Sequence, residues 1–86
     1  MGESYEHRIK RLKIRSWRRG IKEMDMILGP FSDTELVKLT TEQLDLYESL
    51  LAENDQDLYM WMSGRVEMPP EHAEIGLVIR KFIKLA

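Results

Sequence analysis

Apolar residues in this 86-residue chain recur every three or four positions from Tyr5 to Ile83, and no stretch alternates apolar with polar for long enough to build a strand. That periodicity implies an all-α fold, a small single-domain bundle of about five short helices spanning residues 1–86. A chain of this length buries only about 60–65% of its unfolded surface, so the core must be modest. Each helix therefore has to spend its apolar stripe on its neighbours.

Local signals set the expected boundaries. Ser4 can cap a first helix with Tyr5, Ile9, Leu12 and Ser16 on one stripe, leaving Ile14 and Trp17 off it. A second helix is expected to start near Gly20, with Ile21, Met24, Ile27, Leu28 and Phe31 inward and Met26 outward. Pro30 should kink or end it, because proline removes a donor and its ring crowds the carbonyl four residues back. Whether Ser32–Leu39 continues that helix is left open. Thr40-Thr41-Glu42-Gln43 reads as a capping box for a third helix carrying Leu44, Tyr47, Leu50 and Leu51. Asn54 or Asp55 caps a short fourth helix in which Leu58, Trp61 and Met62 face the core, and Gly64 suits the position just past its end. Pro70 fits the first position of a fifth helix, with Glu71 and Glu74 at its positive end. Its apolar face is Ile75, Val78, Ile79, Phe82 and Ile83.

Composition narrows the function classes. There is no cysteine, hence no disulfide framework or thiolate chemistry, and no apolar run long enough for a transmembrane helix. The amino-terminal residues include Glu3 and Glu6 and lack an apolar core, unlike a secretory or transit peptide, so the reading is cytoplasmic. His7 and His72, the two histidines, lie far apart in sequence and read as surface residues, and no set of metal ligands is apparent. No carboxylate pair is embedded in apolar sequence as acid–base catalysis would want. The chain reads as no enzyme, with no catalytic residue and no metal. Residues 8–19 hold seven of the 13 Lys and Arg and no acid, while residues 33–74 hold 11 of the 15 acids. The basic segment with Trp17 could contact nucleic acid, but a pI near 5.7 fits a solvated face or a protein contact better. A generic helical protein-interaction module and a basic-helix nucleic-acid binder stand as alternative readings.

The segment Arg19-Gly20-Ile21-Lys22-Glu23, continuing into Met24-Asp25-Met26-Ile27-Leu28-Gly29, is the most specific stretch. In a helix starting near Gly20, Arg19 and Glu23 fall roughly 120° from the apolar stripe at about 100° per residue. An Arg, a Glu and a bare Gly are thus expected together on the solvent side, and alanine at Arg19 or Glu23 is expected to leave the fold intact. Arg19-Gly20-Ile21-Lys22-Glu23-Met24-Asp25 resembles the R-G-x-x-E-L-D signature of the succinate dehydrogenase assembly factor 2 family, with Met24 for the usual Leu. Ile27-Leu28-Gly29-Pro30-Phe31 is similar to that family's L-L-G-x-F. Asp55 to Met62 is similar to its D-x-D-L-x-x-W-L.

The resemblance covers roughly Arg8 to Phe82. It implies a five-helix assembly factor that binds the flavoprotein subunit of succinate dehydrogenase, and in some bacteria that of fumarate reductase. There it would promote covalent attachment of FAD to a histidine of the partner. It would hold no cofactor stably itself and be a monomer when free. By the same resemblance Arg19, Gly20, Glu23 and Asp25 form the docking surface. Arg15, Arg18 and Lys22 join it as an extension from position alone.

Overall fold

The computed structural model describes residues 2–85, and all regular structure among them is helical. Five α-helices occur in chain order: α1 (Tyr5–Trp17), α2 (Lys22–Glu35), α3 (Thr41–Leu51), α4 (Asp55–Met62) and α5 (Pro70–Leu85). A single 3-10 turn, Leu36–Lys38, follows α2 directly. Among the described residues no helix is long and apolar enough to cross a membrane.

The helix ends follow the local signals. The Ser4 hydroxyl accepts from the His7 amide at 3.1 Å, and Thr40 and Gln43 form the reciprocal capping box at 3.0 and 3.1 Å. Asn54, not Asp55, caps α4, its Oδ1 accepting from the Gln56 amide at 2.8 Å. Past α4, the Gly64 amide bonds the Trp61 carbonyl and the Arg65 amide bonds that of Met60, a pattern closed by Gly64 at φ 79°.

The helix α2 starts just after the expected start near Gly20, and Pro30 does not end it. Its first residue is Lys22, preceded by Ile21 in extended conformation (φ −130°, ψ 145°), so Gly20 lies in the α1–α2 loop. It also runs through Pro30 to Glu35. Proline there costs the Met26 carbonyl its donor, but Met26 is on the exposed side, where water can serve it. The preceding residue, Gly29, has no Cβ to meet the proline ring. Gly29 is needed for a second reason. It is buried beneath the Trp17 indole, and a Cβ there would collide with that ring. Trp17 is therefore a half-exposed lid on α2, its indole N–H donating to Asp33 at 3.2 Å.

The core is one cluster in which every α-helix takes part. It joins Ile9 and Leu12 with Met24, Leu28 and Phe31, with Leu36, with Leu44, Tyr47, Leu50 and Leu51, with Leu58, Trp61 and Met62, and with Ile75 and Ile79. Phe31 stacks on Tyr47 (5.5 Å, 29°) and meets Phe82 edge-on (5.4 Å, 83°). Ser16 sits on the apolar stripe of α1 because its hydroxyl shares a 2.6 Å hydrogen bond with the Tyr47 hydroxyl and donates to the Leu12 carbonyl. Burial pushes the Tyr47 phenol up to about 12, against smaller opposing effects of Ser16 and Arg19. Once unfolded it ionises near its ordinary value of 10.0. Its contribution is therefore complete below about pH 10 and is lost as pH rises toward 12. Stability measured against pH should fall more steeply over that window in the wild type than in Tyr47→Phe, and equal slopes would refute the assignment.

Part of the basic segment is consumed by the fold. Arg8 donates to Asp45 (2.7 Å) and Glu48 (3.1 Å), and Arg11 to Glu48 (2.8 Å) and Glu3 (3.0 Å). The Arg11 hydrogen bonds hold both Glu3 and Glu48 below the usual carboxylate range. Two of the seven cations in residues 8–19 thus serve to tie α1 to α3 and to Glu3.

Candidate functional site

The α1–α2 loop is fastened from three directions. The Arg19 amide donates to Asp25 Oδ1 at 2.7 Å, and the Gly20 amide donates to Asp55 Oδ2. The Arg19 Nε donates to Asp55 Oδ1 at 2.6 Å. Its Nη2 reaches the carbonyls of Leu51 (2.9 Å) and Glu53 (3.3 Å). The pair is well matched to its surroundings. Arg19 puts positive charge on the carbonyl end of α3, and Asp55 puts negative charge in the first turn of α4.

This geometry corrects the expected exposure of Arg19. Its side chain is 9% exposed and that of Asp55 16%. Because α2 begins at Lys22, Arg19 is not a helical turn before Glu23, and its side chain turns inward to the α3–α4 junction. Gly20 is exposed as expected, yet its bareness serves an approach within the chain. A Cβ there would come within 2.9 Å of Asp55 Oδ2. Glu23 and Lys22 are exposed, Asp25 is half-buried by its bond to the loop, and Arg18 is exposed at the end of α1. Arg15 lines a different groove on α1, with His7, Arg11 and Ile14.

Beside the loop, a groove of about 390 Å³ runs between the start of α2 and α4, lined by Ile21, Glu23, Gln56, Asp57, Tyr59 and Met60. Its floor is apolar and its rim carries the carboxylates of Glu23 and Asp57. Of these residues sequence reasoning placed only Glu23 in a site. The D-x-D-L signature was the available pointer to Asp55 and Asp57.

His72 also departs from expectation. It is 2% exposed, its Nε2 lies 2.6 Å from Glu53 Oε2, and its ring is tilted against Trp61 at 5.5 Å. Glu53 thus receives Arg19 on its carbonyl and His72 on its carboxylate, so the α3–α4 junction is gripped by the loop and by α5. Glu71 beside it and Glu74 two positions on disguise a residue that the first turn of α5 turns inward.

The family model described as the flavinator of succinate dehydrogenase matches residues 10–85. The chain belongs to that family. It is 41% identical over 63 residues to the FAD assembly factor SdhE of Legionella pneumophila (strain Lens), covering 73% of this chain and 80% of that one. It is 39% identical over 69 residues to the mitochondrial succinate dehydrogenase assembly factor 2 of Meyerozyma guilliermondii, covering 80% of this chain and 51% of the relative. The relative of the same name from Kluyveromyces lactis is likewise 39% identical over 69 residues, 42% of its length. The chain thus spans about half the length of these mitochondrial relatives or less.

Proposed function

We propose that this chain is an assembly factor that binds the flavoprotein subunit of succinate dehydrogenase and promotes covalent attachment of FAD to it. The observation that supports this most is the match of residues 10–85 to the flavinator family. The site geometry agrees with it. FAD is the group being attached to the partner, and the chemistry of attachment belongs to the flavin. What a helper must supply is orientation, holding the immature subunit so that the flavin and its acceptor side chain stay within attack distance. A firmly held loop beside an open groove is suited to that, and the helper then needs no catalytic residue or resident cofactor of its own.

In this reading the contact surface is the Gly20 backbone, Lys22, Glu23 and the groove toward Tyr59, with Arg18 at its margin. Arg19 and Asp25 act by holding the loop. Arg15, on the other groove, drops out of the surface. Residues 1–86 work as one helical unit, as a monomer in the cytoplasm. The fumarate reductase flavoprotein is the second partner to examine. A nucleic-acid role is disfavoured by the engagement of Arg8 and Arg11 with Asp45, Glu48 and Glu3.

The test is Glu23→Ala. Glu23 is exposed, so its truncation should change stability by no more than about 0.5 kcal/mol. A contact charge desolvated on docking costs about 2–5 kcal/mol when its partner is left unpaired. Covalent flavin in the succinate dehydrogenase flavoprotein, read as in-gel fluorescence, should fall when the gene is deleted and should not be restored by Glu23→Ala. Unchanged flavin on deletion would overturn the assembly-factor reading. Full restoration by the variant would overturn this surface.

A further inference from the structure

The geometry points to Asp55 as a positioning residue for partner docking, the group that sets the Arg19-Gly20 backbone in its binding form before the partner arrives. This rests on the docking surface proposed above. Asp55 occupies the first position of α4, yet it does not cap that helix, since Asn54 already does. Both of its carboxylate oxygens are spent on the α1–α2 loop packed beside it, Oδ1 on Arg19 Nε at 2.6 Å and Oδ2 on the Gly20 amide. Its hydrogen bonds therefore go to the loop, while its own helix gains only its charge.

The loop has few other restraints. Its residues 18–21 lie between α1 and α2, and Ile21 offers no side-chain cap to α2. Besides Asp55, the fastenings are the Asp25 bond to the Arg19 amide and the Arg19 bonds to the Leu51 and Glu53 carbonyls. The guanidinium position itself depends on Asp55. Remove that carboxylate, and the Gly20 amide loses its acceptor while the Arg19 guanidinium loses its only carboxylate partner among the described residues. Gly20 would then sample many conformations, since no Cβ restricts it. The entropy of ordering the loop would fall on the binding step and weaken it. The helices, held by the core cluster, would keep their places.

The experiment uses the full chain with Asp55→Ala and Asp55→Asn, and Ile79→Ala on α5 as a control for a general loss of stability. Amide exchange at Arg19 and Gly20 is followed by NMR, and affinity for the purified, FAD-free succinate dehydrogenase flavoprotein subunit is measured well below each melting point. Asp55→Ala should speed Gly20 exchange at least tenfold beyond exchange elsewhere in α2 and weaken binding at least tenfold. Asp55→Asn, which keeps one acceptor oxygen, should recover part of both. Ile79→Ala should single out neither Arg19 nor Gly20 in exchange and should leave affinity unchanged. Wild-type affinity in Asp55→Ala, or a loss no larger than in Ile79→Ala, overturns the proposal. If Asp55→Ala fails to fold, Asp55→Asn decides by the same comparison with Ile79→Ala. Failure of the wild type to bind the subunit defeats the docking reading and this proposal with it. Wild-type binding with an indifferent Asp55 defeats the proposal alone.

Discussion

Replacing Trp61 with alanine is expected to destabilise the protein by about 3–5 kcal/mol, the range for a buried aromatic truncated to its Cβ. Trp61 is 8% exposed and lies on α4, a helix of eight residues. A helix that short has no stability of its own in water, so its tertiary contacts must hold it. Leu58, Trp61 and Met62 are those contacts. The indole also covers His72, which sits at 5.5 Å from it and bonds Glu53. Without the ring, water would reach a pair that links α5 to the α3–α4 junction. For a domain of this size a loss of 3–5 kcal/mol corresponds to a fall in Tm on the order of 15–30 °C. Denaturation followed by circular dichroism would measure it, and a loss under about 1 kcal/mol would show that Trp61 is not a core anchor.

What could be read from the sequence was local. The Thr40–Gln43 capping box, the Ser4 cap and the reversal at Gly64 depend on residues within a few positions of one another, and each formed as expected, while of the two candidate caps for α4 the structure uses Asn54. The stripes on α3 and α5 likewise identified the core, because a 3.6-residue repeat is a local property. The start of α2 was illegible for an equally local reason. Ile21 precedes the helix without any side-chain cap, so nothing in the sequence marks the break, and a helix extended back to Gly20 misplaced Arg19. Pro30 misled because its cost depends on which way the Met26 carbonyl faces, a tertiary fact. His72 and Arg19 find their partners 19 and 36 residues away. Spacing along the chain holds no signal for such pairs, although the family signatures did quote both Arg19 and Asp55.

Arg19→Ala should separate from Glu23→Ala in stability, although helical periodicity led to the expectation that both would leave the fold intact. The Arg19 guanidinium is almost enclosed and meets one carboxylate and two carbonyls. Removing it leaves the carboxylate of Asp55 largely desolvated with only the Gly20 amide for company, together with unserved carbonyls at Leu51 and Glu53. Breaking a buried pair from one side costs about 3–5 kcal/mol, well above the 0–1 kcal/mol of an exposed one. The variant should melt markedly lower while Glu23→Ala melts with the wild type. Arg19→Lys should not restore stability, because a single ammonium cannot present separate donors to the Asp55 carboxylate and the two carbonyls in one plane. Asp55→Asn combined with Arg19→Met should recover part of the loss, since it removes both charges while keeping much of the volume. If Arg19→Ala instead unfolds at the wild-type denaturant midpoint, the Arg19–Asp55 contact contributes nothing to stability. The Arg19-Gly20 turn would then have to be explained by the partner alone.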